Sequence, residues 1–328
     1  MNATMRAVRH DRYGTPDVLQ LRQVERPVPD ANQVLVRVHA AAVNPVEWHR
    51  LTGTPYVIRR RMGGLRRPAN PRLGTDFAGT VEAVGAEVTS FRPGDEVFGA
   101  ADGSFAEYVC VREQGSVVPM PAGLTFEQAA SVPVAAISAL QGLRDHGRLQ
   151  PGHQVLINGA SGGVGTFAVQ IAKTYGAEVT GVCGPQNTEL VRSLGADHVI
   201  DYTREDATRG GRRYDVLLDT IGTWSWARCQ RVLQPRGSLV LVGGLQTNRL
   251  TGPLVRWRWF RLAARLRART VRLLQAHLTK ADLEVVRELL ETGKVTPVID
   301  RRYKLDEIAD ALRYLGTRHA RGKVVITL

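Results

Sequence analysis

The chain has 328 residues, 43% of them hydrophobic and three of them cysteine, with 44 Lys and Arg against 31 Asp and Glu for a formal charge of +13. That length allows two domains. No run of eighteen apolar residues occurs, which argues against a membrane-spanning helix, and Cys110, Cys183 and Cys229 lie too far apart for a disulfide framework or a four-cysteine zinc lobe. The charge is local. Six arginines between Arg59 and Arg72 and eight between Arg249 and Arg272 stand without an acid, and setting those fourteen aside leaves thirty basic residues against 31 acidic ones. A nucleic-acid partner is therefore not expected. The opening stretch from Met1 to Val8 has no apolar signal-peptide core, so a cytoplasmic protein is expected.

Up to about Pro121 the chain alternates in short runs, Gln33 to Ala40 and Ala78 to Val84, punctuated by Pro27, Pro29, Gly85, Pro93-Gly94 and Gly103. That pattern predicts a strand-rich, partly barrel-shaped domain. Thr125 with Gln128 three residues on is a capping box that starts a helix, and we place a domain boundary there, giving residues 1–125 to the first domain.

The next stretch, Val155 to Lys173, reads as a buried strand, a glycine turn and an amphipathic helix. Its fingerprint is Ala160-x-Gly162-x-x-Gly165. Gly162 lets backbone approach a phosphate, Gly165 lets the helix pack on its strand, and the free N–H groups at the helix start favour an anion. Further strands are predicted at Glu178 to Cys183, His198 to Ile200, Tyr214 to Asp219 and Ser238 to Val242. Strands alternating with helices at this spacing predict an α/β fold with a Rossmann doubly wound parallel sheet, over residues 126–292. A nicotinamide dinucleotide is the ligand expected there, cradled by Ala160, Ser161, Gly162, Gly163, Val164 and Gly165. NAD-preferring sites end the second strand on a carboxylate; here Cys183 stands there, followed by Gly184-Pro185-Gln186-Asn187, which favours NADPH.

From Leu254 to His277 the periodicity predicts one long helix with Arg258, Arg261, Arg265, Arg269 and Arg272 on a stripe, and Arg256 and Arg267 breaking the apolar face. A helix from Lys280 to Leu290 follows. After Gly293 a strand-helix-strand passage ends at Gly322 to Leu328, and this segment, 293–328, is expected to return to the first domain.

Several motifs in this order carry a family resemblance: Val43-Asn44-Pro45-Val46-Glu47, Leu73-Gly74-Thr75-Asp76-Phe77-Ala78-Gly79, Arg92-Pro93-Gly94-Asp95, the glycine turn, Leu194-Gly195-Ala196-Asp197 and Arg321-Gly322-Lys323-Val324-Val325. The chain resembles, end to end, the medium-chain dehydrogenase/reductase superfamily and, within it, the zinc-independent quinone oxidoreductase (zeta-crystallin-like) branch. The resemblance implies a GroES-like catalytic domain and a homodimer. Zinc alcohol dehydrogenases of the superfamily have a cysteine where Asn44 stands and a histidine-glutamate pair near Thr75-Asp76, so no zinc or other metal is expected.

Without a Lewis acid, electron-poor acceptors are the feasible substrates, a quinone or an α,β-unsaturated carbonyl. The resemblance implies Asn44 near the nicotinamide or the substrate oxygen, Ser138 beside the nicotinamide ribose, Tyr202 at an adenosine phosphate and Lys323 on the pyrophosphate. His49 and Tyr56 are candidate donors, Gly243 a further cofactor contact, and Arg318 and Arg204 candidate charges for a 2′-phosphate. Two other readings stay open, an enoyl-thioester reductase and a nucleotide-binding RNA-associated protein. The segments Arg59 to Arg72 and Arg249 to Arg272 suit an acidic substrate or an anionic membrane surface.

Overall fold

The computed structural model describes residues 3–61, 64–243, 250–251, 254–265 and 269–328. Arg249 and Arg267 lie outside the described residues. In chain order the strands are β1 (Thr4–Arg9), β2 (Gln20–Glu25), β3 (Gln33–Val43), β4 (Asp76–Val84), β5 (Glu96–Ala100), β6 (Tyr108–Arg112), β7 (Val117–Pro119), β8 (Gln154–Asn158), β9 (Glu178–Cys183), β10 (His198–Asp201), β11 (Tyr214–Asp219), β12 (Leu233–Val242), β13 (Thr270–Leu274), β14 (Ile299–Lys304) and β15 (Lys323–Thr327). The helices are α1 (Pro45–Thr52), α2 (Val57–Arg61), α3 (Phe126–Ala130), α4 (Pro133–Gln141), α5 (Gly163–Thr174), α6 (Thr188–Ser193), α7 (Trp226–Val232), α8 (Leu254–Arg265), α9 (Lys280–Glu291) and α10 (Ile308–Gly316).

The chain divides into two compact units. The first holds Met1–Ile137, His277–Thr292 and Pro297–Leu328, and the second Ser138–Ala276 and Gly293–Thr296. The first unit thus takes in α3 and α9, which the sequence had suggested for the nucleotide-binding domain. The Thr125 capping box forms as expected: Gln128 N donates to Thr125 Oγ1 over 3.2 Å, and Thr125 N donates to Gln128 Oε1 over 2.9 Å.

In the first unit the sheet runs β14-β15-β3-β4-β5-β7, with β6 also paired to β3. At 11 residues β3 is long enough to serve different partners along its length, Gln33–Arg37 facing β6 and Ala40–Val43 facing β15. Register shifts between Leu35/Val36 and Val38/Ala40 bend it, which curls the sheet toward a barrel. One cluster packs Val8, Leu51, Leu73, Phe105, Leu312 and Ile326, another Val34, Val36, Phe77, Val97 and Val117. The C-terminal β15 lies between β14 and β3, so the last residues complete this sheet.

In the second unit six parallel strands take the order β10-β9-β8-β11-β12-β13, which in chain order is 3-2-1-4-5-6, the doubly wound arrangement. One expectation fails here. The segment from Leu254 does not continue as a helix to His277; α8 stops at Arg265 and β13 lies parallel to β12. The reason is tertiary: the second half of the sheet takes its third strand from these residues, burying Val271 and Leu274. Arg269 is drawn off the expected stripe, donating from its Nη2 to Leu233 O over 2.9 Å, and Arg272 sits on the strand. Arg256, which broke the apolar face in the sequence, turns inward to donate to the carbonyls of Gly222 and Trp224, with its guanidinium 4.9 Å from the Phe260 ring centre.

Candidate active site

The glycine turn lies at the C-terminal end of β8, the first strand of its sheet. Gly159 makes the tight turn at φ +88, a conformation only glycine takes without strain, so the turn residue precedes the expected fingerprint by one position. Ala160 fits because Gly181 in β9 leaves room: a Cβ on Gly181 would sit 3.0 Å from the Ala160 methyl. Gly165 is required sterically, since a Cβ there would meet Gly159 O at 2.1 Å. Above Gly162 the space is open, its Cβ position meeting only Gly159 O at 3.5 Å. Gly162 is the N-cap of α5, whose first N–H groups, on Gly163, Val164 and Gly165, precede any intrahelical carbonyl partner. These features fit a pyrophosphate.

Beside the turn, Asn187 Nδ2 donates to Ser161 Oγ over 3.2 Å, while the buried Asn187 Oδ1 has no protein partner among the described residues. At the switch point of the sheet, Asn158 Nδ2 donates to Asp219 Oδ1 over 2.8 Å, and Asp219 Oδ2 is likewise buried and unpartnered among the described residues. Ser138 is buried in α4, and Gly243 follows β12 at φ +74.

At the end of β9, burial pushes the Cys183 thiol up to about 11, assisted by Asp201 and opposed by Arg192. Cys183 is therefore a neutral group at the second strand's end. Tyr202 is 62% exposed and its backbone N donates to Cys183 O over 3.2 Å. Asp201, which no sequence motif marks, faces Cys183 across the ladder. Its Oδ1 accepts from Thr203 N over 2.9 Å and its Oδ2 lies 3.7 Å from Arg204. Arg192 is likewise unmarked in the sequence, and its charge reaches the Cys183 thiol from α6. The strand pairing of β9 and β10 and the return of α6 bring these three together, and no local motif signals it.

In the first unit a buried polar cluster forms around Asn44, the residue that precedes α1. Lys323 Nζ donates to Asn44 Oδ1, and to Asp76 Oδ2 over 3.2 Å. Asn44 Nδ2 donates to Asp76 Oδ2 over 2.9 Å and Asp76 Oδ1 accepts from Val134 N over 2.9 Å. The lysine is 3% exposed and the aspartate 0%. The structure therefore spends the Lys323 ammonium and the Asn44 amide on each other and on Asp76. Burial raises the Asp76 carboxyl, with Lys323 and Asn44 pulling the other way.

Glu47, also buried, accepts from Asn44 N over 2.7 Å and from Thr75 Oγ1 over 2.6 Å. Burial pushes its carboxyl up to about 7, the Asp76 charge adding to this and the hydrogen bond from Thr75 opposing it. In the sequence Glu47 is marked only as the last residue of Asn-x-x-Glu, a capping-box pattern.

The other candidates lie apart from that cluster's hydrogen bonds. His49 in α1 is half-buried; burial lowers its pKa, a backbone hydrogen bond at Thr54 opposes this and the charge of Arg318 adds to it. It is a neutral imidazole at pH 7. Arg318, at φ +64, follows α10. Tyr56 is 41% exposed, and Arg59 lies 4.4 Å from its ring centre and 4.4 Å from that of Tyr13. Arg59 Nε also donates to Gly53 O over 2.9 Å, so this member of the Arg59 to Arg72 segment holds its own loop. A cavity of about 170 Å³, lined by Arg50, Thr75, Ala100, Ala101, Asp102 and Leu278, adjoins the cluster through Thr75.

With this geometry the chain's likeness to known proteins is specific. Residues 30–122 match the alcohol dehydrogenase GroES-like domain and residues 194–326 the zinc-binding dehydrogenase family. The second match contains none of Asn44, Thr75 and Asp76. The chain is 35% identical to 2-methylene-furan-3-one reductase of Solanum lycopersicum, covering 98% of this chain and 79% of that protein. It is 33% identical to the NADPH-dependent alkenal/one oxidoreductase, chloroplastic, of Arabidopsis thaliana, over 98% of this chain and 79% of that one. The structure of the quinone oxidoreductase from Coxiella burnetii matches with a TM-score of 0.87 at 30% identity, over 99% of this chain and 100% of that one. The chain belongs to the medium-chain dehydrogenase/reductase superfamily, in its quinone oxidoreductase branch, and is an oxidoreductase. Among the described residues no helix is long and apolar enough to cross a membrane, and no group of three or more His, Cys, Asp or Glu could hold a metal ion.

Proposed function

We propose that the chain is an NADPH-dependent, zinc-independent reductase that passes hydride to an electron-poor acceptor, a quinone or an α,β-unsaturated carbonyl. The observations that carry the reading are the open glycine turn at the start of α5 and a buried cluster in which the Lys323 ammonium already occupies the oxygens of Asn44 and Asp76. A dication placed there meets a fixed positive charge and engaged donors, which disfavours zinc. When bound, the nicotinamide supplies the hydride. The chain's own part is positioning: Gly162 to Gly165 take the pyrophosphate, and Ser161 with Asn187 border it. A quinone or enone accepts hydride at carbon and delocalises the resulting charge onto oxygen, where water or a weak acid delivers the proton.

Preference for NADPH is supported by neutral Cys183, by Arg192 acting on it and by Arg204 beside Asp201, which is already hydrogen-bonded. We place the enzyme in the cytoplasm and expect a homodimer. Among the described residues β13 has a ladder partner on one side only, the kind of edge through which copies pair. The test is NADPH consumption across quinones, enones and enoyl thioesters, with NADH as the comparison and metal content measured in parallel. Turnover is expected with quinones or enones and NADPH. A higher kcat/KM with NADH overturns the NADPH assignment, one zinc per chain overturns the metal assignment, and turnover confined to enoyl thioesters favours the acyl reading.

A further inference from the structure

Between Asp219 and Asp282 the sequence contains no acidic residue, while eleven arginines and one lysine fall in that interval. Helix α8 lies in this interval and is amphipathic in an unusual sense, because both its faces carry large apolar groups. Its inner face packs Trp257, Phe260 and Ala264 into the core of the second unit. On its outer face Val255, Trp259 and Leu262, one and two turns apart, are 62%, 62% and 56% exposed. Leu254 at the helix start is 39% exposed. Arg258 and Arg261 are exposed on the same helix, the latter with its guanidinium 5.0 Å from the Trp257 ring centre. Water gains nothing from such a surface, and the core of this unit is already filled from the other side.

We propose that the outer face of α8 is a peripheral membrane contact, seated on a bilayer that carries anionic phospholipids. Charge decides between the possible occupants. A second copy placed on this face by a twofold axis brings the same helix, which carries no acid, against itself, arginine facing arginine. Nucleic acid satisfies Arg258 and Arg261 but leaves Val255 and Leu262 against phosphate and sugar. An anionic bilayer satisfies both: arginines meet headgroups while Trp259 and Leu262 enter the boundary with the acyl chains. The contact is peripheral because α8 spans twelve residues, too short to cross.

The test is co-sedimentation of the full chain with vesicles of phosphatidylcholine alone or mixed with phosphatidylglycerol, at low and high salt. The chain is expected to bind the mixed vesicles at low salt and to leave those of phosphatidylcholine alone in solution. The double variant R258Q/R261Q is expected to lower partitioning roughly 30-fold. W259S/L262S is expected to lower it as well, with no change in thermal midpoint since both side chains are exposed, and R258Q/R261Q is expected to lower the midpoint only slightly through the lost Arg261–Trp257 contact. Brominated lipid is expected to quench tryptophan fluorescence in the wild type and less in W259F. Absence of binding, equal binding to both vesicle types, or wild-type binding by both double variants overturns the proposal. So does an oligomer dissociated by W259S/L262S, which assigns the face to a second copy, or RNA binding by the wild type without vesicle binding, which assigns the charge to a polyanion.

Discussion

Glu47 shows how far a single residue can be read. Its place three residues after Asn44 is a local signal, and the structure uses half of that pattern, Glu47 accepting from Asn44 N. The other half is redirected, because the Asn44 side chain is held by Lys323, 279 residues away in sequence, and by Asp76. Asn44 and Lys323 were each visible as motif residues; their bond was not, because strand order alone brings β15 beside β3. The buried position has a consequence for stability. A carboxyl held up to about 7 in the folded chain binds a proton that the unfolded chain releases near its ordinary pKa of about 4.3. The contribution to stability is therefore fully present below the unfolded value and is lost as pH rises through the folded one. Glu47→Gln keeps an acceptor for Asn44 N, and the Thr75 hydroxyl can reverse to accept from the new amide. The variant is expected to gain stability relative to the wild type from about pH 4.5 to about pH 7.5, by up to about 3 kcal/mol. Urea unfolding across that range measures it; a difference that does not change with pH means Glu47 is ionised throughout.

Among elements, the strand, glycine turn and α5 were legible because their signal is local: a buried run, glycines at fixed spacing, and a helical period. The segment after Leu254 was not, since leucines and arginines in its sequence satisfy a helical period while the edge of β12 recruits Thr270 to Leu274 as a strand. Local pattern cannot report a vacancy at a sheet edge. Within the turn the two glycines differ in kind, and substitution separates them. Gly165→Ala places a methyl 2.1 Å from Gly159 O, against backbone that can only shift, and is expected to destabilise the chain by about 1–3 kcal/mol and weaken NADPH binding. Gly162→Ala meets only Gly159 O at 3.5 Å, so folding is expected to survive, while the methyl projects where an anion would approach. Thermal unfolding of the free chain with titration of NADPH checks both. Unchanged NADPH affinity in Gly162→Ala would move the phosphate away from this turn.

At the scale of the whole molecule, the alternation of strands and helices made the doubly wound sheet readable, and the punctuation of the first 121 residues made the strand-rich unit readable. The residue membership of the units was less so, because α3 and α9 take their places by packing rather than by pattern. Ligand linkage gives a measurement on the intact chain. A dinucleotide that binds the folded protein alone stabilises it by about 2.7 kcal/mol at a hundred times its dissociation constant, which corresponds to a rise in Tm of about 4 °C for a chain of this size. If the Cys183 end takes a 2′-phosphate, NADPH raises Tm more than NADH at equal concentration, and the difference draws on the positive charge nearby. Arg192→Gln is expected to narrow it while leaving the Tm of the free chain unchanged, because Arg192 is exposed in α6 and its charge acts on Cys183. Scans with each dinucleotide, on wild type and variant, decide the matter: equal shifts in the wild type leave Cys183 without a role in selection, and an undiminished NADPH advantage in Arg192→Gln assigns the charge to Arg204 or another cation.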